Sequence, residues 1–292
     1  MSRPHLVVLG FAFAAGSLVW GAPLKIACIG DSITFGSGLS NPATESYPAR
    51  LQRLLGTSCV VRNYGISGRT LLRKGDYPYW NEALFSQSRE WSPDIVIIQL
   101  GTNDSKPYNW RHGTNFVADY EDFVSSYRIL PNAPRIIVCT PCPVYGAGAY
   151  NIKPDTVAGE IAPAVRDLAA RLGLGLIDLH VRLAGHADWF PDTVHPNSRG
   201  MAVMAGVVHE TLTGGPPPLP PPRIELTRVP PNRMVAQWPA PSAGWVVQTT
   251  TLLRSSNTLW TVVEAIPTND GIVVRQTNSI SGPRRFYRLW QP

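Results

Sequence analysis

Charge is scarce in this chain: only 16% of its 292 residues are Asp, Glu, Lys or Arg. The formal balance of +6 comes from scattered arginines, and the longest basic cluster is the pair Arg284-Arg285. No basic stripe is there to track a phosphate backbone, so nucleic-acid binding is not supported. Cysteine is scarce too, and four of them do not make a disulfide scaffold. Cys139 and Cys142 form a C-x-x-C, yet no second Cys/His pair has zinc spacing. Pro141 and Pro143 keep that segment extended, and three extended residues span about 10 Å, beyond the roughly 7 Å that a disulfide bridges. The thiols are therefore read as buried, with a Cys28–Cys59 bridge left open. Internal repeats are lacking as well.

Long apolar runs are few. The run from Leu6 to Trp20 is shorter than the roughly 20 residues of a spanning helix. Arg3 and His5 precede it, and Val19 and Gly21 supply small residues before Ala22. That layout predicts a secretory signal peptide over residues 1–21 and a secreted or periplasmic mature chain, with an uncleaved anchor as the alternative.

What is present is a core-forming composition, 44% hydrophobic, with strand and helix patterns in alternation. Apolar runs at Leu24–Ile29, Cys59–Arg62, Asp94–Leu100, Ile136–Thr140 and Leu174–Leu179 read as five buried strands. Phe116, Tyr120, Phe123, Val124 and Tyr127 lie on one face of a helix. Val157, Ile161, Val165, Leu168 and Leu172 do the same up to a capping Gly173, and Arg199 to Leu212 forms the last helix. The alternation predicts an α/β domain over residues 22–213, a flavodoxin-like three-layer parallel sheet of order 2-1-3-4-5.

A Pro-rich linker follows over residues 214–222, semi-rigid in polyproline II. From 223 to 292 the period changes to two, and six short strands with an Asn269-Asp270-Gly271 hairpin signal predict a small β-sandwich. Trp238, Trp245 and Trp260 could serve that module as sugar contacts, but packing is the preferred reading.

Four short stretches stand where the predicted strands end. They are Gly30-Asp31-Ser32-Ile33-Thr34, Asn63-Tyr64-Gly65-Ile66-Ser67-Gly68, Gly101-Thr102-Asn103-Asp104 and Asp192-Thr193-Val194-His195-Pro196. Acyl transfer needs a nucleophile, a base, an orienter for the base, and donors for the oxyanion. Ser32, His195 and Asp192 suit the first three roles, and Gly68 and Asn103 suit the fourth. No serine sits in a G-x-S-x-G elbow, which argues against an α/β-hydrolase.

In order and content the four stretches resemble the blocks of the SGNH (GDSL-type) hydrolase family, over roughly residues 24–212. The resemblance implies a Ser32–His195–Asp192 triad, or a Ser-His dyad in which a backbone carbonyl replaces Asp192. It also implies an oxyanion hole of the Ser32 N–H, the Gly68 N–H and the Asn103 amide, with no metal or organic cofactor. Gly-Asp-Tyr-Pro-Tyr-Trp at 75–80 followed by Leu-Gly-Thr-Asn-Asp-Ser-Lys-Pro at 100–107 is similar to the sialate O-acetylesterase-like and acetylxylan-esterase-like branch. The terminal module resembles fibronectin-type-III-like domains.

Loops with polar and aromatic residues suit sugar rings, whereas an acyl-chain tunnel needs continuous Leu, Ile and Phe. Tyr79, Trp80 and Trp110 are the expected sugar contacts, with packing of the loops as the alternative, and an acetylated glycan is the expected partner. The alternatives are a lipid-directed or general esterase, and a non-catalytic carbohydrate-binding surface protein.

Overall fold

The structure is a computed structural model that describes residues 22–215, 224–230, 232–239, 246–251, 260–263, 268–269, 273–279 and 285–290. The expected leader and most of the Pro-rich linker lie outside the described residues, as do Trp245, Asp270 and Gly271. Two compact units divide the chain, residues 1–217 and 218–292.

Five parallel strands form the sheet of the first unit: β1 (Leu24–Gly30), β2 (Cys59–Gly65), β3 (Ile95–Gln99), β4 (Arg135–Cys139) and β5 (Gly175–Ile177). Their spatial order is β2-β1-β3-β4-β5, the flavodoxin-like order the alternation predicts. Successive side chains on a strand point to opposite faces, and the sheet is apolar on both. Ala27, Ile29, Val96, Ile98, Ile136 and Val138 face one layer, while Ile26, Cys28, Ile97, Ile137 and Cys139 face the other.

The longer helices follow from the same logic. These are α1 (Ser32–Phe35, a single turn), α2 (Tyr47–Leu55), α3 (Ala83–Glu90), α4 (Phe116–Arg128), α5 (Ala162–Leu172) and α6 (Ser198–Thr213). Phe85 of α3, Phe116, Tyr120, Phe123 and Tyr127 of α4 and Val165 and Leu168 of α5 cover one face. Tyr47 and Leu51 of α2 and Met201, Met204 and Val208 of α6 cover the other. Burying each such side chain is worth about 1.5–3 kcal/mol, so these two layers fix the sheet.

One helix carries a bulge. The helical backbone runs from Pro154 to Leu172, covering the stretch that the apolar repeat predicts, with a wide π turn over Val157–Ile161 ahead of α5. Pro163 has no N–H to give back to Gly159, so the backbone widens there, and the Ala162 N–H reaches the carbonyl of Val157.

All four cysteines are free. The Cys28–Cys59 bridge is closed off by register: Cys59 stands opposite Leu24, and Cys28 stands opposite Asn63. Four residues of strand separate them, about 13 Å.

The second unit is all antiparallel: β6 (Glu225–Val229), β7 (Arg233–Pro239), β8 (Val246–Thr250), β9 (Thr261–Val262), β10 (Thr268–Asn269), β11 (Val273–Ser279) and β12 (Phe286–Trp290). They make two sheets, β10-β11-β7-β6 and β12-β8-β9. Met234, Ala236, Trp238 and Val274 from one sheet meet Val247 and Leu289 from the other in a single buried cluster. Trp238 is therefore a core residue, the packing role the sequence favours for it. Among the described residues, no helix is long and apolar enough to cross a membrane.

Candidate active site

The loops leaving the carboxyl ends of β1, β2 and β3 meet the segment before α6 at one edge of the sheet. Gly30 ends β1 where Thr34 Oγ1 and the Gln99 carbonyl close in. A Cβ there would stand 2.1 and 2.7 Å from those atoms, so only glycine lets the chain turn at this point. Asp31 then caps α1, its Oδ1 accepting the Ile33 N–H at 2.9 Å. Ser32 becomes the first residue of that turn, 8% exposed and facing a pocket of about 330 Å³.

His195 reaches across 163 residues of sequence to this serine, its Nε2 lying 2.8 Å from Ser32 Oγ. Its Nδ1 lies 2.6 Å from Asp192 Oδ2. The other carboxylate oxygen, Oδ1, accepts the backbone N–H groups of Val194 at 3.0 Å and His195 at 2.7 Å. Thr193 makes that tight return by adopting φ +72°, a left-handed conformation that β-branched residues rarely take. Burial pushes the Asp192 carboxyl up, but the His195 backbone, the His195 ring and the Val194 backbone outweigh it, and the group ends below the usual range. It stays ionised opposite the imidazole.

Gly68 and Asn103 line the same pocket as Ser32, Thr102 and His195. Gly68 has φ +82°, so its backbone turn favours a residue without a Cβ. The Asn103 side chain donates to the Arg69 carbonyl at 3.2 Å and to Asp31 Oδ2 at 3.5 Å. Its own carbonyl accepts the Asn109 amide at 2.9 Å.

Two fully buried carboxylates support these loops. Asp104 accepts the N–H of Leu71 at 3.0 Å and of Leu72 at 2.7 Å, tying the loop after β2 to the turn that holds Asn103. Burial raises its pKa to about 7, against the pull of those two backbone donors. Asp31 is raised to about 6 for the same reason, opposed by the Ile33 N–H and by His195. Burial also pushes Cys28 up to about 12 and Cys139 and Cys142 well above the usual thiol range, so these are inert thiols. Among the described residues, no group of three His, Cys, Asp or Glu side chains is arranged to hold a metal ion.

Ser32, Asp192, His195, Gly68 and Asn103 are thus brought together. The expected sugar contacts are not. Tyr79 is fully buried, and its hydroxyl donates to the Tyr64 carbonyl at 2.5 Å. Trp80 packs edge-on against Phe123 at 4.9 Å, with the Arg73 guanidinium 3.5 Å over its ring. Trp110 packs on Phe116 and donates its indole N–H to Glu160 at 2.9 Å. None of the three lines the pocket. Tyr79 and Trp80 pack between Phe85 of α3 and Phe123 of α4, and Trp110 packs half-buried against Phe116 of α4.

Sequence reasoning missed Tyr150, Lys106 and Ile152, which do line the pocket. Lys106 follows Asn103-Asp104 closely enough that the motif itself could have flagged it. Tyr150 has no such signal beyond the glycines at 146 and 148 of its loop.

Comparison with known proteins bears on this geometry. A family model described as the GDSL-like Lipase/Acylhydrolase family matches residues 28–203, more than half of the chain. An acetylxylan esterase of Xylanibacter ruminicola is 38% identical over 203 residues, which are 63% of this chain and 42% of that protein. The chain's match thus spans about two fifths of that relative's length. Among solved structures, a carbohydrate acetylesterase family member from Sinorhizobium meliloti superposes with a TM-score of 0.55 at 23% identity, covering 66% of this chain and 100% of that one. The M. smegmatis aryl esterase superposes with a TM-score of 0.55 at 20% identity, covering 65% and 99%. At such identities these two structures share the fold.

Proposed function

The chain belongs to the GDSL-like lipase/acylhydrolase family, and we propose that it removes O-acetyl groups from a carbohydrate by a serine acyl-enzyme mechanism. The observation that carries this reading is the unbroken hydrogen-bond line from Asp192 through His195 to Ser32, opening on a pocket. Nucleophile, base and orienter stand at the separations such chemistry needs.

In the proposed reaction His195 Nε2 takes the Ser32 Oγ proton as Oγ attacks the acetyl carbonyl. The backbone N–H groups of Ser32 and Gly68 and the Asn103 amide hold the negative oxygen of the tetrahedral intermediate. His195 then returns the proton to the sugar oxygen, which leaves as the alcohol. Water, deprotonated by the same imidazole, attacks the acetyl-serine, and the imidazolium returns that proton to Ser32 Oγ as acetate leaves. Asp192 keeps the imidazole in its tautomer and balances the imidazolium charge throughout.

A carbohydrate substrate is supported by three observations. The relative from X. ruminicola is named an acetylxylan esterase. Ser37 and Ser67, hydrogen-bonded to each other at 2.9 Å, line the pocket with Thr102, Asn103 and Lys106, beside the apolar Ile152 and Val194. Among the described residues, the rings of Tyr77 and Tyr108 are 58% and 43% exposed, and Tyr108 joins Lys106 of the pocket wall through Asp76.

The test is hydrolysis of p-nitrophenyl esters from acetate to octanoate, followed by acetate release from acetylated xylan, wild type beside Ser32→Ala. Preference for acetate, release from xylan and a dead variant are expected. Preference for octanoate would replace the carbohydrate assignment with a general or lipid-directed esterase. No turnover of any ester by the wild type would remove the enzymatic reading.

A further inference from the structure

Tyr150 sits in a part of the backbone that tyrosine seldom occupies. Its φ of +55° is followed by +63° at Asn151, two successive side-chain-bearing residues in the left-handed region. Such conformations persist when their surroundings fix them, and they concentrate at functional sites. The surroundings here are specific. The Tyr145 N–H donates to the Thr193 carbonyl at 2.9 Å, and the Ala149 N–H donates to Thr193 Oγ1 at 3.0 Å. Beyond Tyr150, the Lys153 N–H donates to Ser105 Oγ at 3.1 Å. The loop is therefore pinned on one side to the residue after Asp192 and on the other to the turn that carries Asn103.

This brings the Tyr150 hydroxyl 3.1 Å from Asp192 Oδ2, to which it donates. The same oxygen lies 2.6 Å from His195 Nδ1. The ring stands edge-on to the imidazole, with centroids 5.3 Å apart and planes at 64°. A carboxylate offers about four lone-pair positions. Asp192 fills them with the N–H groups of Val194 and His195, the His195 ring and the Tyr150 hydroxyl.

We propose that Tyr150 is a positioning residue for the acyl-transfer reaction, its hydroxyl completing the set of donors that orients Asp192 and its ring edge holding the imidazole toward Ser32. The inference rests on the triad mechanism above and extends it by one member. Donation to Oδ2 stabilises the carboxylate anion, and the Tyr150 hydroxyl is held protonated by that bond and by the negative charge beside it. An anion so satisfied is held in one orientation opposite the imidazole. Asp31 also interacts electrostatically with His195, and Lys106 stands on the pocket wall. Neither is bonded to Tyr150, and both remain when its hydroxyl is removed.

The test is Tyr150→Phe, with Tyr150→Leu beside it. Removing the hydroxyl alone is expected to lower kcat by roughly 3–10-fold, the worth of one hydrogen bond. The loss should be alike on p-nitrophenyl acetate and acetylated xylan, because the residue acts through Asp192. The low-field proton resonance of His195 Nδ1–H should shift in Tyr150→Phe, in substrate-free protein. Tyr150→Leu, lacking the ring edge as well, should lose more than Tyr150→Phe. A raised KM on xylan alone, with the resonance unmoved, would make Tyr150 a sugar contact and overturn the proposal. Because the resonance needs no turnover, it reads the Tyr150 effect even if the wild type proves inactive, which would count against the esterase reading instead.

Discussion

The side-chain amide of Asn103 donates to the backbone carbonyl of Arg69, 3.2 Å away and 34 residues earlier in the chain. Arg69 directly follows Gly68, so this bond sets the spacing between the two donors proposed for the oxyanion. It also orients the amide, whose other partner, Asp31 Oδ2, is a long 3.5 Å away. Asn103→Ala is expected to lower kcat by roughly 10²–10³, with KM changed little, since the lost donor serves the intermediate more than the ester. Asn103→Asp should be worse than alanine, because a carboxylate would face both the Arg69 carbonyl and Asp31. Steady-state kinetics on p-nitrophenyl acetate check both, and an Asn103→Ala variant altered only in KM would take Asn103 out of the oxyanion hole.

The proposed triad residues are expected to fail by different amounts. In the proposed mechanism Ser32→Ala and His195→Ala each remove a group that bonds to or exchanges protons with the reacting atoms, so kcat should fall by roughly 10⁶. Asp192→Asn leaves the shape intact but turns the tautomer, costing roughly 10⁴. Combining Ser32→Ala with His195→Ala should cost little more than either alone, because the residues act as a unit. Near-full activity in Asp192→Asn would make this a Ser-His dyad, the alternative that the family resemblance leaves open.

Much of this site is legible in the chain because it hangs on strand ends. Val- and Ile-rich runs identify the buried strands, and in a doubly wound sheet their carboxyl ends must gather the loops that follow. Ser32, Gly68 and Asn103 stand in those loops, and His195 stands just before the last helix, so order and spacing suffice to bring them together. The aromatic contacts are a different matter. Tyr77 and Tyr79 lie two residues apart in one stretch, yet one is 58% exposed and the other fully buried. Their segment is an irregular loop held by Asp104, a single bridge between Thr70 and Pro78, and the turn over Tyr79–Asn81, and it has no period from which a buried face can be read. Tyr150 is hidden for a related reason: a left-handed tyrosine is set by its anchors on Thr193 and Ser105, which are remote in sequence.

The burial of Tyr79 has its own consequence. Its hydroxyl donates to the Tyr64 carbonyl at the end of β2. Tyr79→Phe deletes this side-chain donor to a buried carbonyl, so stability should fall by about 1 kcal/mol. The KM for acetylated xylan should not move. Urea unfolding and kinetics on one protein preparation measure the two effects, and a raised KM at unchanged stability would restore Tyr79 as a sugar contact.

Asp31 gives the fold a pH dependence whose sign follows from its burial. Its pKa rises from an ordinary 3.8 to about 6 in the folded protein, because burial disfavours the charge more than the Ile33 N–H and His195 favour it. A raised carboxyl holds its proton more tightly when folded than when unfolded. Its favourable contribution is therefore complete below the unfolded value and is lost as pH climbs through the folded one. A rise of that size corresponds to at most about 3 kcal/mol. Asp31→Asn can still cap α1 through its amide oxygen, but it carries no charge at any pH. The stability of wild type relative to Asp31→Asn should then decline between about pH 4 and pH 6 and level off above. Denaturant melts across that range test this. A difference that stays flat, or rises with pH, would mean that Asp31 is ionised as readily in the folded protein as in the unfolded chain, with His195 outweighing burial.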